Sequence, residues 1–356
     1  MSDSLWSERD TTPSAIAGAL GTLLRTGHQD GSAHSPARAL NLVVTVDGEW
    51  RGEVMNRLER VGRSHPSRTI VFAVEPGADT LDARVSISCA NGSMQGAPAP
   101  CRERVEIAVG PRHLPRLNSI AGPILLADLP TVIWSPHRHE EAVASLTALA
   151  DATLIDSLEE PSVERAIKGA RSLAERTHLV DLAWLRDAPW RERIAALFEE
   201  PDWRRAPLEI SRVGLQHAAG SGMASLLLVG WLGSKLAWKA RPLLPHEGSL
   251  YAKLRGRRQH VELQLGVAEG QVPPGLESVE IETASAAKIS LRRHPGGFAA
   301  ARKAPRGDER DWVVLGAVPG EQHVLGEGIR QTLLRDSAYD DALELTEELL
   351  PREALL

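Results

Sequence analysis

The sequence predicts an α/β N-terminal domain, with a mainly parallel sheet and one antiparallel hairpin. An α+β C-terminal domain with an antiparallel sheet and terminal helices is predicted to follow. Strand-like and helix-like segments alternate up to about residue 177, a pattern typical of parallel sheets. Beyond that point, short strand-like runs are separated by Gly/Pro turns, which is typical of antiparallel sheets. A length of 356 residues suits two domains.

The N-terminal domain is predicted over residues 37–177, after a flexible segment at 1–36. Within that segment, 15–24 has the composition of a short helix, and HQDGSAHSP at 28–36 reads as a linker. Apolar runs such as LNLVVTV predict buried strands, and alternation on both sides of a Gly/Pro-rich turn predicts the hairpin. The predicted elements are strand 40–46, helix 53–64, strand 67–74, hairpin strands 83–89 and 102–109, strand 131–135, helix 140–150, strand 152–157 and helix 162–175.

The C-terminal domain is predicted over residues 178–356. The apolar stretch between 213 and 234 contains glycines, a glutamine and a histidine. It is too interrupted for a membrane span, which favours a buried helix. The predicted elements are helix 190–198, strand 208–216, helix 221–238, strands 251–254, 260–265, 278–282, 287–292, 298–302 and 311–317, and helices 322–335 and 339–350.

Composition and charge exclude some partners and leave others open. Hydrophobic residues make up 42% and charged residues 25% of the chain, and the net charge is −6. This balance is typical of a globular protein and does not favour nucleic acid or an anionic membrane as partner. The N-terminus lacks the basic and apolar regions of a signal peptide. With only two cysteines, a reducing, cytoplasmic setting is expected.

Tryptophan dominates the aromatic residues, with nine Trp against two Tyr and three Phe. Two of them lie in the segment DLAWLRDAPWRERIAALF at 181–198. Pro189 suits the first turn of a helix that continues with Trp190. Tryptophan and arginine together are typical of interface hot spots, while buried tryptophans are equally typical of packing between domains.

Two short motifs invite a chemical interpretation. GSGMAS at 220–225 approaches the dinucleotide fingerprint but has Ser225 at its third glycine position. A simple helix start with Ser221 as N-cap is the alternative. SPHRHEE at 135–141 contains His137 and His139, but an i, i+2 spacing does not put two ligands on one helix face. Neither a metal site, a cofactor site nor a catalytic constellation is predicted.

Cys89 and Cys101 end and begin the two predicted hairpin strands. By strand parity, Cys89 shares a face with Val85, and Cys101 shares a face with Val105. The two thiols are therefore expected on the same side of the sheet, within disulfide reach if the register matches. A redox switch and a pair of ordinary half-buried thiols both remain open.

Five segments taken together resemble the glucose-6-phosphate dehydrogenase assembly protein family, OpcA. The resemblance extends over roughly residues 37–300 and departs from the family pattern at Ala183, where Asn is usual, and at Ser135, where a second Trp is common. The segments are HPSRTIVF (65–72), LLADLPTVIW (125–134), TLIDSLE (153–159), DLAWLRDAPWRERIAALFEEP (181–201) and LLLVGWLGSKLAW (226–238).

The resemblance implies a protein that is not an enzyme and has no cofactor. Such a protein binds glucose-6-phosphate dehydrogenase and acts as an allosteric activator that favours the active oligomer. It also implies redox control through cysteines similar to Cys89 and Cys101, with thioredoxin as a further partner. The partner-binding residues expected are Asp181, Trp184, Trp190, Arg191 and Arg193.

Two alternatives stay open beside an interaction protein. The first is an enzyme or nucleotide-binding protein that uses the strand ends of the α/β domain, where ligands bind in such folds. The second is an adaptor that senses a sugar phosphate. Fold analogy alone supports both alternatives.

Overall fold

The computed structural model describes residues 2–29, 38–62, 65–89, 101–270, 273–305, 307, 309–315, 320–334 and 336–351. The chain divides into two compact units. Each unit is discontinuous, so the chain crosses between them several times. Unit 1 comprises Met1–Ile155, Leu173–Val180 and Leu325–Leu334, and unit 2 comprises Asp156–Ser172, Asp181–Val324 and Arg335–Leu356.

The first half of the chain alternates strands and helices, as the sequence predicted. The 90–100 turn of the predicted hairpin and nearly all of the predicted linker lie outside the described residues. The elements are β1 (Ser2–Glu8), α1 (Pro13–Gln29), β2 (Leu40–Asp47), α2 (Arg51–Val61), β3 (Ser67–Val74), β4 (Asp82–Cys89), β5 (Cys101–Val109), α3 (Leu117–Ala121), β6 (Thr131–Trp134), α4 (Glu140–Leu146), β7 (Ala152–Ile155), α5 (Val163–Ala174) and β8 (His178–Asp181).

The second half contains most of the antiparallel strands and ends in two helices. Its elements are α6 (Leu182–Arg186), α7 (Ala188–Leu197), β9 (Ile210–His217), α8 (Gly222–Leu236), β10 (Leu244–His246), β11 (Ser249–Arg255), β12 (His260–Val267), β13 (Leu276–Thr283), β14 (Lys288–His294), β15 (Gly297–Lys303), β16 (Glu309–Leu315), α9 (Glu321–Gln331) and α10 (Ser337–Glu348).

The first sheet has eight strands in the order β1-β4-β5-β3-β2-β6-β7-β8. Strands β5, β3, β2, β6 and β7 run parallel to one another, whereas β1 and β4 pair antiparallel at one edge. Strand β2 is buried along nearly its whole length, because a parallel strand at the centre of such a sheet is covered on both faces. The prediction of a mainly parallel sheet with an antiparallel hairpin is therefore confirmed.

Residues 2–29 of the segment expected to be flexible form a strand and a helix, and the short helix expected at 15–24 lies within α1. Strand β1 pairs with β4 along its full length. Helix α1 buries Ile16 and Leu20 in the same apolar cluster as Phe72, Val85 and Ile107. The polar sequence of β1 concealed a strand because an edge strand does not need a continuous apolar run.

The second sheet also has eight strands, in the order β10-β11-β12-β9-β13-β14-β15-β16. All neighbouring strands pair antiparallel except β9 and β12, which pair parallel. The predicted α+β domain with an antiparallel sheet and terminal helices is confirmed. Among the strands of this sheet, β10 was missing from the prediction because LPH has no strand pattern.

Helix α8 is apolar on all sides and lies against α10. A Cβ atom on Gly230 would collide with the carbonyl oxygen of Ala342 and with Oγ1 of Thr346. Thr346 Oγ1 donates hydrogen bonds to the carbonyl oxygens of Leu226, at 3.1 Å, and Ala342. Of the helices that the structure describes, none is long and apolar enough to cross a bilayer.

Candidate functional site

The tryptophan segment lies in unit 2, where Asp181 ends β8 and caps the short helix α6. The Asp181 carboxylate accepts hydrogen bonds from the backbone N–H groups of Ala183 and Ser157, each at 3.0 Å. The hydroxyl of Tyr339 donates to its other oxygen at 3.1 Å. Burial, followed by the nearby Asp156 carboxylate, raises the pKa of Asp181 to about 6. Asp181 is thus a structural cap that joins three segments of the unit.

Trp184 lies at the centre of a side-chain cluster that also contains Asp181, Arg191, Asp336 and Tyr339. Its indole Nε1–H donates to Asp336 Oδ2 at 2.9 Å, and its ring packs edge-on against Tyr339 with 5.6 Å between centroids. The Arg191 guanidinium carbon lies 3.4 Å from the Trp184 ring centroid, and Arg191 Nη1 donates to the Trp184 carbonyl oxygen at 2.8 Å. Burial lowers the pKa of Arg191 to about 10, which leaves it positively charged at neutral pH.

Asp187 lies between α6 and α7, close to the same cluster. It is 2% exposed, and its Oδ2 atom has no hydrogen-bond partner among the described residues. Burial raises its pKa to about 7, although the positive charges of Arg191, Arg186 and Arg293 act in the opposite direction. Desolvation therefore outweighs three arginines, and the carboxyl is only partly ionised at neutral pH.

Trp190 and Arg193 lie one turn further along, on α7. Trp190 is buried and packs edge-on against Phe298, with 4.7 Å between ring centroids. Arg193 is partly exposed, but its Nε atom is buried and has no hydrogen-bond partner among the described residues. Arg193 also lines a cavity of about 180 Å³ together with Glu200, Arg302 and Trp312.

The predicted partner-binding residues are therefore gathered in one region, mostly below the surface. Asp181, Trp184 and Trp190 are buried among side chains of the same unit, and Arg191 is directed onto an indole ring. Of the five, Arg193 has the side chain best placed for direct contact with another protein. Its role in binding stays a prediction.

Five members of the cluster were missed by sequence reasoning. Asp156 forms a two-bond ion pair with Arg186, at 2.6 and 3.2 Å, while Asp187, Asp336 and Tyr339 complete the network. The sequence carried one usable signal, because Asp187 directly precedes Ala-Pro at a helix start. Tyr339 and Asp336 are more than 150 residues away from their partners, so no local pattern connects them.

In unit 1 the strand order reverses at β2, which has β3 on one side and β6 on the other. Ligands of α/β sheets bind outside the carboxyl ends of strands at such a point. Here His139 Nε2 and His137 Nδ1 lie 3.2 and 3.6 Å from the Asp47 carboxylate. Burial lowers the pKa of His139 more strongly than Asp47 raises it. Across the described ranges, no group of three or more His, Cys, Asp or Glu side chains is arranged to hold a metal ion.

The GSGMAS motif forms a helix start, as the simpler of the two interpretations predicted. Ser221 occupies the N-cap position of α8 without accepting a hydrogen bond from the first turn of that helix. Its hydroxyl oxygen instead accepts from the backbone N–H of Gly275 at 2.9 Å. Ser221 is thus the N-cap residue as predicted, but its hydroxyl fixes the chain before β13 instead of bonding to the first turn of α8.

The hairpin register places the two cysteines directly opposite each other. Strands β4 and β5 pair antiparallel, with Cys89 aligned to Cys101 and Val85 aligned to Val105. Cross-strand neighbours have α carbons about 4.5–5.5 Å apart, and disulfides form at separations of about 4.4–6.8 Å. The backbone register therefore meets the condition that the sequence left open.

The two units define an α/β protein of two parts, one built on a mainly parallel sheet and one on a mainly antiparallel sheet. The chain matches the family model of the glucose-6-phosphate dehydrogenase subunit N-terminal domain over residues 58–172. It matches the model of the corresponding C-terminal domain over residues 177–343. The chain belongs to this family, the OpcA glucose-6-phosphate dehydrogenase assembly proteins.

Curated relatives come from cyanobacteria. The chain is 26% identical over 225 residues to the "Putative OxPP cycle protein OpcA" of a Synechocystis species, a match that covers 62% of this chain and 46% of the relative. It is 27% identical over 186 residues to the protein of the same name from Nostoc punctiforme, covering 51% and 40%. The chain thus spans about half the length of the curated relatives it matches.

Two solved structures share a general similarity with the chain. An oxidoreductase from Bacillus cereus aligns with a TM-score of 0.42 at 11% identity, covering 86% of this chain and 96% of the other. An apo scyllo-inositol dehydrogenase from Lactobacillus casei aligns with a TM-score of 0.39 at 12% identity, covering 89% and 96%. Scores below 0.5 carry no information about activity, so the family match alone bears on function.

Proposed function

We propose that this chain is a non-catalytic assembly factor that binds glucose-6-phosphate dehydrogenase and favours its active oligomer. The observation that carries the proposal is the match of two consecutive stretches, together most of the chain, to domains described as glucose-6-phosphate dehydrogenase subunit domains. The names of the relatives place those proteins in the OxPP cycle. A cytoplasmic location is part of the same proposal.

Activation would be allosteric and would follow from differential affinity. A protein that binds the active oligomer more tightly than the inactive form shifts the equilibrium by the ratio of the two affinities. The cluster around Trp184 supports this role, because its charged groups bond within the unit and hold α6 and α7 in place. A rigid surface loses little conformational entropy on binding.

We expect Arg193 to contact the partner directly, with Asp181, Trp184, Trp190 and Arg191 acting indirectly by fixing the segment. Arg193→Ala should weaken binding to the dehydrogenase about tenfold, a typical loss for an interface arginine. Arg165→Ala is the matched control, because Arg165 is an exposed arginine of the same unit, on α5. Equal dissociation constants for both variants would show that Arg193 does not contact the dehydrogenase.

Redox modulation is the second part of the proposal. Oxidation of Cys89 and Cys101 would join the two sulfurs and release two protons and two electrons to an oxidant such as a peroxide. A thioredoxin dithiol would reverse the step by becoming oxidised itself. The aligned register of the two cysteines supports this chemistry.

The experiment that tests the proposal measures the dehydrogenase from the same source with and without this chain. We expect the chain alone to have no dehydrogenase activity. Added at saturation, it should lower the apparent KM for glucose 6-phosphate or raise kcat, and it should co-elute with the enzyme on a sizing column. Unchanged kinetics together with separate elution would refute the proposal. Calorimetric binding of glucose 6-phosphate to the isolated chain would instead favour a sensor.

A further inference from the structure

The second sheet has one buried face and one open face. Residues such as Val213, Leu215 and Val279 bury the first face. On the second face, the alternate side chains of β11 to β16 include exposed charges such as Lys253, Glu280 and Asp311. Antiparallel sheets commonly pack one face on a core and leave the other face in contact with solvent, so this face is available to a partner.

Charges of mostly alternating sign cross this open face in one row, perpendicular to the strands. Each member is the direct cross-strand neighbour of the next. Ion pairs join some neighbours, such as Lys288 with Glu282 at 3.5 Å, whereas Arg212 bonds to the amide oxygen of Gln264 at 3.0 Å. In spatial order the row is Lys253, Glu262, Arg212, Glu282, Lys288 and Lys303.

Beside this row, small residues alternate on the face with longer polar ones such as Gln264, Glu280 and Arg292. Gly214 and Gly266 lie on β9 and β12, Ser290 on β14, and Ala299 and Ala301 on β15. The small residues leave space between the longer side chains for a second sheet to approach to the usual spacing of about 10 Å.

The two edge strands of the same face carry exposed apolar side chains. Leu244 on β10 is 62% exposed, and Val313 and Leu315 on β16 are 48% and 76% exposed. Their registers place Leu244 beside Tyr251 and Val313 beside Ala299. Large apolar side chains at both margins of a sheet face indicate an interaction surface.

We propose that a second copy of this chain covers this face, related by a twofold axis that runs parallel to the strands between β9 and β13. Such an axis places the strands of the second copy opposite those of the first in reversed order. Each residue then faces a residue of the same cross-strand row in the other copy. Arg212 would then face Glu282 of the second copy, and Glu262 would face Lys288. At the margins, Leu244 would face Asp311 of the second copy and would lie one row away from Val313. A surface that complements itself in this way is what an isologous dimer requires.

The outer lysines and the size of the face fit the same arrangement. Lys253 would face Lys303 of the second copy, but each has a glutamate beside it, at 4.0 Å from Glu262 and 3.8 Å from Glu309. Eight strands at about 4.8 Å spacing span about 34 Å, and seven residues extend about 23 Å. The face therefore measures about 800 Å², which matches the area that each partner buries in a standard interface.

Sedimentation equilibrium of the isolated chain tests the dimer without any dehydrogenase, so its outcome is separate from the proposed function. We expect a mass of twice the chain mass of 38.6 kDa at micromolar concentration. Arg212→Glu should raise the dimer dissociation constant about tenfold or more. The new glutamate would face Glu282 of the second copy, and the symmetry of the dimer repeats this repulsion a second time. The exchange Arg212→Glu with Glu282→Arg should lower the constant again relative to Arg212→Glu alone, because opposite charges then face each other across the interface. Glu344→Lys, an exposed change on α10, is the control and should have no effect.

A distance measurement distinguishes this face from any other dimer interface. In a Cys89→Ser/Cys101→Ser background, a spin label at Gln216→Cys should report a short intermolecular distance, below about 25 Å, because Gln216 lies next to the proposed axis. Circular dichroism of each variant shows that the chain remains folded. A monomer at 100 μM, a dimer that Arg212→Glu leaves intact, or a distance beyond 40 Å would each overturn the proposal.

Discussion

The guanidinium of Arg191 covers the indole ring of Trp184 at 3.4 Å from its centroid and donates to the carbonyl oxygen of the same residue at 2.8 Å. One side chain thus makes a cation–π contact and a charge-assisted hydrogen bond with one residue seven positions earlier. The arginine is part of the packing that closes α6 against α7. A charge at position 191 is therefore a stability determinant whether or not a partner is bound.

Arg191→Ala should lower the free energy of unfolding by about 2–4 kcal/mol. A desolvated cation–π contact contributes up to about 2 kcal/mol, and a hydrogen bond from a charged donor contributes about 1.5–3 kcal/mol. Urea unfolding followed by tryptophan fluorescence measures the change. Arg205→Ala, at an exposed arginine, is the control and should stay within about 0.5 kcal/mol of the wild type. A similar loss in both variants would contradict the packing role.

Stability should fall as the pH rises from about 5 to about 7. The carboxyl of Asp187 has a pKa of about 7 in the folded protein, against 3.8 for an aspartate in the unfolded chain. The folded state therefore binds more protons than the unfolded state in this window. Stability then decreases with pH by up to about 1.4 kcal/mol per unit for this group. Asp181, with its pKa raised to about 6, acts in the same direction at the lower end of the window.

Asp187→Asn removes the titrating carboxyl at nearly constant volume and isolates its contribution. Between pH 5 and pH 7, the unfolding free energy of this variant should rise relative to that of the wild type by about 2 kcal/mol. Glu192→Gln is the control, because Glu192 is an exposed carboxylate on the same helix. Parallel pH curves for Asp187→Asn and the wild type would show that Asp187 is ionised in the folded protein throughout.

The sequence was sufficient where local pattern decides the structure. Continuous apolar runs identified β2 and β3, and the glycine-broken apolar stretch identified α8, because burial on all sides requires such compositions. Strand β1 was missed because SDSLWSE has no strand pattern of its own. Its extended conformation depends on pairing with β4. The residues of the candidate site likewise divide into those with a local sequence pattern and those without one. Trp184 and Arg191 were found from one segment, whereas Tyr339 and Asp336 enter through tertiary contacts that no spacing encodes.

The contact between α8 and α10 predicts a strong effect of one methyl group. Gly230→Ala would place a Cβ atom on the Ala342 carbonyl oxygen and on Thr346 Oγ1. The two helices would have to separate, and overpacking of this kind costs about 1–3 kcal/mol or more. Gly169→Ala is the matched control, because a Cβ atom there meets no other atom within 4 Å and alanine stabilises a helix by about 0.5–1 kcal/mol over glycine. Thermal unfolding should thus show opposite shifts, and shifts of equal sign would contradict the close helix contact.

The last prediction is that Cys89 and Cys101 form a reversible disulfide within one chain. Their aligned positions at the ends of β4 and β5 meet the backbone requirement, and closing a loop of this size stabilises a folded chain by about 3 kcal/mol on the entropy model. Thiol trapping with mass spectrometry should find the bond after mild oxidant and should find free thiols after thioredoxin. The reduced and oxidised forms should also differ in their effect on the dehydrogenase, and Cys89→Ser should abolish that difference. Ser88→Ala, at the neighbouring position on β4, is the control. Full alkylation of both thiols at every potential tested, or redox sensitivity that persists in Cys89→Ser, would show that the switch does not lie in this hairpin.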